Sequence, residues 1–353
     1  MIQSSLTKIE VEDAKILAEK ISANGLLPKS SSWLITGVSG FLGSQFMNLF
    51  SALKKIGYDI RVTGVDSGIR GDVRDWYVKD FDFVQFDITD SWKAFSKHDF
   101  ILNLASIASP VFYRKFPLET ITTNFNGTLN ALDAAKSWGS PILLMSSSEI
   151  YGDPQDVAIP TPEDYRGNVS CIGPRSCYDE GKRVTETLGW IYSNQFEVDV
   201  SIARPFNFYG PGMRLDDGRV LPDFMSSILK NQDIKIHSDG GPTRSFCYVS
   251  DAIEALMLMT LTAKEEKVYN VGSEESEISI THLAELIGTT ASQHGWTGGI
   301  KYVESPERDF LTNNPQRRLP NTQKIREELG WSATTNLSTG VLRTLAHFKE
   351  TKN

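Results

Sequence analysis

The sequence predicts an α/β chain, a doubly wound parallel sheet with a smaller C-terminal lobe. Three observations carry that prediction. Short buried apolar runs alternate with helix-periodic stretches from Trp33 to Met145, the pattern of a parallel sheet whose crossovers are helices. The first run, Trp33-Leu34-Ile35-Thr36, passes directly into Gly37-Val38-Ser39-Gly40-Phe41-Leu42-Gly43. Later, Tyr178 stands four positions before Lys182, a spacing that none of the other tyrosines among the chain's 11 shares.

Composition bounds the rest. At 353 residues the chain exceeds one ordinary domain, yet no linker separates independent halves. Apolar and charged shares of 40% and 23% are near globular averages, which argues against a disordered or fibrous chain. A net charge of −8 with a pI near 5.3 leaves no basic stripe, so no nucleic acid is expected as partner. No apolar run reaches the roughly 18 residues of a membrane span, and no basic start precedes an apolar core. Neither a membrane nor a secretory signal is therefore expected. Cys171, Cys177 and Cys247 are odd in number and have neither zinc-ligand nor CxxC spacing. Reduced thiols in a cytoplasmic compartment, and no metal, follow. Cys177 adjoins Tyr178 but reads as a small packing residue rather than a reactive thiol.

In chain order, residues 1–30 form an extension in which Ile9, Ala14, Ile16, Leu17 and Ile21 give a loose helical stripe ending at Asn24-Gly25. A strand then enters the TGxxGxxG turn, and a helix runs to Ile56. Gly37, Gly40 and Gly43, with Phe41 and Leu42, let backbone approach a pyrophosphate held by free N–H groups at the helix start. This strand–turn–helix context makes the sheet Rossmann-type. The second strand, Asp59 to Asp66, ends in a carboxylate where a ribose diol would be held. A carboxylate repels a 2′-phosphate, so NAD rather than NADP is the expected cofactor, with Arg70 nearby a weak counterweight. A third strand, Phe81 to Phe86, leads to Asp87 and Ile88 beside the adenine, and Asp90 is expected to cap the following helix. The fourth strand, Phe100 to Ala105, delivers Leu104, Ala105 and Ser106 to the cofactor. A helix from Leu118 to Trp138 carries Asn124 toward it.

The strand Ile142 to Met145 delivers Ser146-Ser147-Ser148-Glu149-Ile150-Tyr151-Gly152. A hydroxyl and a carboxylate at a carboxyl strand end sit beside the nicotinamide in such a sheet, which marks Ser147 and Glu149. A serine-rich polar turn is the plainer reading of the same residues. On the next helix, beginning near Tyr178, Lys182 shares the tyrosine's face. An unperturbed tyrosine, with a pKa of about 10, needs such a cation before it can act as a base at neutral pH.

From Trp33 to about Gly340 the chain resembles the extended short-chain dehydrogenase/reductases, and within them UDP-glucuronate decarboxylases, also called UDP-xylose synthases. The resemblance rests most on Glu163-Asp164-Tyr165, Ile172-Gly173-Pro174-Arg175 and Cys177-Tyr178-Asp179-Glu180-Gly181-Lys182-Arg183. Leu104-Ala105-Ser106, Tyr151-Gly152-Asp153-Pro154, Asp217-Gly218-Arg219-Val220, Tyr248-Val249-Ser250-Asp251 and Leu329-Gly330-Trp331 extend it. It implies an NAD-dependent, redox-neutral lyase of nucleotide-sugar metabolism. Tyr178 would take the 4-hydroxyl proton while hydride leaves C4, with Ser147 bonded to the same oxygen. The β-keto acid so formed would lose its carboxylate, and the hydride would return. Glu149 would orient or handle a proton near C5. Tyr113, Ser148, Asn207, Arg219, Arg244 and Arg318 would bind the substrate, the arginines through its diphosphate.

The departures concern the sugar pocket. Ile107 and Val111 stand where those decarboxylases have prolines, Arg114 and Lys115 where they have uncharged residues, and Phe208 and Gly212 where they have a threonine and an arginine. Ser170-Cys171 replaces an asparagine and a proline. Ser148 argues against 4,6-dehydratases, which carry an aspartate there, and Glu149 against simple 4-epimerases, though either chemistry shares the C4 oxidation. A catalytically inactive dinucleotide-binding sensor would not need the set of Ser147, Tyr178 and Lys182. The expected division is a Rossmann domain at 31–205 and about 238–272, with a substrate-binding lobe at 206–237 and about 273–353. A homodimer through the helices Leu118 to Trp138 and Tyr178 to Gln195 is implied by the resemblance.

Overall fold

The computed structural model describes residues 6–68, 79–262, 267–304 and 315–352. Helix α1 (Lys8–Ala23) precedes β1 (Ser30–Thr36), α2 (Phe41–Lys55), β2 (Asp59–Asp66) and β3 (Asp82–Gln85). After β4 (Phe100–Asn103) come α3 (Pro110–Lys115), α4 (Pro117–Thr122), α5 (Thr128–Trp138), β5 (Ile142–Met145), α6 (Ser176–Phe196) and β6 (Val200–Pro205). The chain continues through β7 (Phe208–Tyr209), α7 (Val220–Leu229), β8 (Ile234–Ile236), β9 (Thr243–Ser245), β10 (Cys247–Tyr248), α8 (Val249–Leu261) and β11 (Lys267–Val271). It ends with β12 (Glu277–Ser279), α9 (Ile280–Ser292), β13 (Ile300–Tyr302), β14 (Arg317–Arg318), α10 (Gln323–Leu329) and α11 (Leu337–Lys352).

Seven strands make one parallel sheet in the order β11-β6-β5-β4-β1-β2-β3. Strand order reverses between β1 and β4, which opens a crevice at their carboxyl ends. Alternate side chains of β1 enter different cores because successive residues of a strand face opposite ways. Trp33 and Ile35 pack with Phe46, Leu49 and Phe50 of α2, while Leu34 packs with Ala131 and Leu132 of α5 and Leu188 of α6. Burial on both faces is why these strands read as unbroken apolar runs. A separate cluster joins Leu221, Phe224 and Ile228 of α7 to Ile234, Leu283, Ile287 and Leu345.

Several local expectations are corrected. Helix α1 forms as expected, capped by Thr7 and stopped at Asn24, but Ile16 is exposed while Glu10 and Asp13 are buried. Its inward face is partly polar because it meets polar groups on α11, described below. Asp90 caps no helix: residues Trp92–Ala94 make a single 3₁₀ turn preceded by Ser91. Strand β4 stops at Asn103, since Thr36 Oγ1 accepts from Leu104 N at 3.0 Å and Ala105 N at 3.1 Å and so turns the chain. The helix expected over 118–138 contains a π-helical turn at Thr123–Gly127. Ile88 packs there, where a Cβ on Gly127 would lie 2.3 Å from its Cδ1. Arg70 lies outside the described residues. No helix among the described residues is long and apolar enough to cross a membrane.

Candidate active site

The crevice begins with the glycine turn. Gly37 has φ of 69°, and a Cβ on it would meet Ala105 Cα at 2.8 Å, so only glycine lets β1 and the end of β4 approach this closely. A Cβ on Gly43 would meet Gly37 O at 2.4 Å. Gly40 is the N-cap of α2 and supplies no side chain, which leaves the first-turn N–H groups to an anion. Asp66, at the end of β2, accepts from Ser39 N at 3.1 Å, Ser39 Oγ at 2.5 Å and Gly68 N at 2.9 Å. These bonds aim the carboxylate along the edge of the turn.

The next layer is assembled from β5 and α6. Ser147 caps a short 3₁₀ turn, Ser148–Tyr151, and its Oγ accepts from Glu149 N at 3.2 Å. Tyr178 and Lys182 share one face of α6, with the ammonium 5.7 Å from the tyrosine ring centroid. Tyr113 of α3 stacks on that ring at 5.2 Å and 12°. Lys182 Nζ donates to Met145 O at 2.7 Å, and burial brings its pKa down to about 7. Burial pushes the Tyr178 phenol up to about 12, against opposing pulls from the Ser147 hydroxyl and the Arg219 guanidinium. In the protein alone, the groups that pull the phenol down are Ser147 and Arg219. Desolvation penalises the charged form of both groups.

Beside this layer lies a dense ionic cluster. Glu149 accepts from Arg175 Nη2 and from both Nη atoms of Arg318, the second at 3.0 Å. Those guanidiniums, with Arg244 further off, hold the Glu149 carboxyl well below the usual range despite its burial. Arg175 also pairs with Asp179 at 3.6 Å, and burial together with Glu149 raises the Asp179 carboxyl. Asp179 Oδ1 and Arg318 Nε are buried without a hydrogen-bond partner among the described residues. Arg244 donates to Thr243 O, and burial and Arg318 bring it down to about 10. Arg219 pairs with Asp217 at 3.0 Å and donates to Ala108 O. Asn207, at φ of 42°, donates to Ser245 O at 3.0 Å.

Apart from Asp179, the side chains of these two layers and the ionic cluster border one cavity of about 720 Å³, which runs from the glycine turn past Tyr178 to α7 and β8. The sequence model of the NAD dependent epimerase/dehydratase family matches residues 33–272. The chain belongs to that family. It is 39% identical over 309 residues to UDP-glucuronic acid decarboxylase 6 of Arabidopsis thaliana, covering 87% of this chain and 86% of that one. With UDP-glucuronic acid decarboxylase 1 of Xenopus tropicalis it shares 37% over 319 residues, 90% of this chain and 72% of the other. Among solved structures, a UDP-glucose 4-epimerase of Thermotoga maritima with UDP-glucose superposes with a TM-score of 0.79 at 24% identity, over 91% of this chain and 100% of that one. A dTDP-glucose 4,6-dehydratase of Streptomyces venezuelae with NAD bound gives 0.77 at 21%, over 91% and 98%. At such identities the structures speak for the fold alone.

In this family member, Gly37, Gly40, Phe41, Leu42, Gly43, Asp66, Asp87, Ile88, Leu104, Ala105 and Ser106 all line the cavity. So do Tyr113, Ser147, Ser148, Glu149, Tyr178, Lys182, Asn207, Arg219, Arg244 and Arg318. Asn124 does not. It lies buried in the π-helical turn, accepts from Ser106 Oγ at 2.9 Å and donates to Thr120 O, so it sets Ser106 from behind rather than meeting a ligand. Asp87 Oδ1 accepts from Thr89 N and Oγ1, both at 2.9 Å. Two substrate-side expectations also change. Glu149, its carboxyl held down by two arginines, has no proton to give at neutral pH. The Arg318 fork, expected on a diphosphate, is turned to Glu149 and Gly152 O. Sequence reasoning missed Arg175 and Asp179 as a pair; their i,i+4 spacing around Tyr178 was the available signal. Of the departures, Ile107, Arg114, Lys115 and Phe208 line the cavity, whereas Val111, Ser170, Cys171 and Gly212 do not.

Proposed function

We propose that this chain is an NAD-dependent, redox-neutral nucleotide-sugar decarboxylase acting on UDP-glucuronate or a close nucleotide uronate through a 4-keto sugar. The carrying observation is that one cavity joins the Ser147, Tyr178 and Lys182 set to three arginines, Arg175, Arg244 and Arg318. There, the guanidiniums of Arg175 and Arg318 meet Glu149, Arg175 also pairs with Asp179, and Arg244 lies within electrostatic reach of Glu149 and Asp153. Three guanidiniums on one cavity suit the anionic groups of a nucleotide uronate, its carboxylate and its diphosphate, and similarity to UDP-glucuronic acid decarboxylases over most of both chains supports the same reading.

The residues fit NAD: the uncapped start of α2, the close glycine packing and the Asp66 carboxylate suit a pyrophosphate and an unphosphorylated ribose. NAD held by these residues would supply a reversible hydride acceptor for C4 and a positive charge beside the phenol. Tyr178, so poised, takes the proton of the sugar 4-hydroxyl, and Ser147 holds that oxygen. As the C5–C6 bond breaks and carbon dioxide leaves, its electron pair spreads onto the C4 carbonyl, where the Tyr178 phenol and Ser147 hydroxyl donate hydrogen bonds. Glu149 fixes Arg175 and Arg318 around the carboxylate; C5 takes a proton from solvent water as the enolate collapses to the ketone, and once hydride has returned to C4 Tyr178 gives its proton back to O4. Arg219, Asn207 and Arg244 hold the diphosphate side, with Tyr113 and Ser148 against the sugar.

We assign the α7, β8 and α9 cluster to a substrate lobe and the seven-stranded sheet to the cofactor domain. A cytoplasmic homodimer is part of this proposal, supported by Leu118 and Trp190, exposed by 72% and 63% on the two long helical stretches. The test is incubation of purified protein with NAD⁺ and a panel of nucleotide sugars, read by mass and NMR. Carbon dioxide and a nucleotide pentose from UDP-glucuronate are expected. Loss of water from, or inversion of, UDP-glucose with no turnover of any uronate would overturn the reading.

A further inference from the structure

The N-terminal helix has no part in the chemistry above, yet its first turn is wired to the wall of the cavity. Thr7 Oγ1 donates to Glu10 Oε2 at 3.1 Å and lies 3.0 Å from His347 Nδ1. On the other side of the same ring, Gly212 N donates to His347 Nε2 at 3.1 Å. A backbone N–H can only donate, so Nε2 carries no proton and Nδ1 holds the ring proton, offered to Thr7 and to Glu10 at 3.6 Å. Thr7, Glu10 and His347 are each no more than 2% exposed, which makes this a fixed relay rather than a surface contact.

Gly212 sits in the segment that follows β7, at φ of 83°, a conformation that glycine alone adopts without strain. That segment supplies Met213, Arg214, Asp217, Gly218 and Arg219 to the cavity. Its start is held from two directions: Gln45 of α2 donates to Pro211 O at 2.9 Å, and His347 receives Gly212. A second tie runs parallel, as Asp13 of α1 accepts from Tyr248 Oη at 2.6 Å and from Arg343 Nε at 3.1 Å, and Tyr248 lies on the strand paired with β7.

We propose that α1 is a positioning element for the substrate wall, and that His347 is the positioning residue through which Thr7 and Glu10 fix residues 210–219. This rests on the assignment of that wall to nucleotide-sugar binding. The experiment therefore has two arms on the full chain loaded with NAD. Hydrogen exchange of the 210–219 amides reads the mechanical link whatever the substrate is, and titration with UDP alone reads its consequence for the site. In His347→Phe, which keeps a ring but loses the acceptor, exchange in this segment rises while the sheet amides are unchanged, and UDP affinity falls about fivefold, the scale of one hydrogen bond. Thr7→Val gives the same pattern at smaller amplitude and carries the test if His347→Phe does not fold. On combining the two, UDP affinity falls no further than in His347→Phe. Unchanged exchange at 210–219, or raised exchange with unchanged UDP affinity, overturns the proposal. UDP binding that is normal in all variants while no nucleotide sugar is turned over would instead count against the proposed reaction.

Discussion

Two halves of the cavity solve the problem of buried charge in opposite ways. Around Tyr178 and Lys182, burial is the leading cause that drives both groups toward neutrality, the phenol up to about 12 and the amine down to about 7. Beside them, Glu149 keeps 21% of its side chain exposed, and its carboxyl is held down because Arg175 and the Arg318 fork meet its oxygens. Desolvation opposes charge in each case, and the opposite charges within hydrogen-bond reach of Glu149 outweigh it there. The first half is thus poised to gain charge from a bound cofactor, whereas the second is already charged and rigid. Acid–base change belongs to one half and orientation to the other.

Removing the acid–base group should have the largest effect. Tyr178→Phe is expected to lower kcat by about 10²–10⁴-fold while NAD still binds, as read by steady-state rates and cofactor content. Turnover within twofold of the parent protein would erase the distinction between the halves. Glu149→Gln should act on stability as well as rate, because it leaves Arg175 and Arg318 buried beside a neutral group. A loss of about 3–5 kcal/mol in urea unfolding is expected at pH 7. The sign with pH follows from the depressed carboxyl. Stability owed to Glu149 is present above its unfolded pKa near 4.5 and is lost as pH falls further, so the variant should lose its disadvantage in acid.

Lys182→Met tests the neutral half by the reverse sign. A lysine whose folded pKa is lowered to about 7 from 10.5 destabilises the native state fully below pH 7, and progressively less as pH rises to 10.5. The variant, although inactive, should therefore melt higher than the parent at pH 6.5 and lose that margin by pH 10. An equal difference at both pH values would show that Lys182 is charged in the fold. The smallest effect is expected behind the cofactor loop. Asn124→Ala should weaken NAD binding about fivefold by freeing Ser106 Oγ, with kcat at saturating NAD unchanged.

The cofactor half was legible because its signals are local. Trp33 to Gly43 is one strand, turn and helix, and Tyr178 to Lys182 is one turn of one helix, so spacing alone reports the geometry. The second half was not, because its partners come from β5, α6 and β14, and no spacing relates Glu149 to Arg318. For the same reason Arg318 read as a diphosphate ligand and Asn124 as a cofactor contact, when each is bonded to another side chain. Helix α1 could be drawn from its pattern and caps, but the reason for its buried Glu10 and Asp13 lies more than 300 residues away on α11.

By itself, then, the sequence determined the parallel sheet, the glycine turn, the carboxylate of Asp66 and the tyrosine–lysine pair, since each depends on backbone periodicity and short-range steric rules. Tertiary structure alone decided which groups keep their charge, what Glu149 can do, and where the N-terminal helix ties in. Electrostatics in a low-dielectric interior depends on distance through space and on desolvation, neither of which is written in the order of residues along the chain.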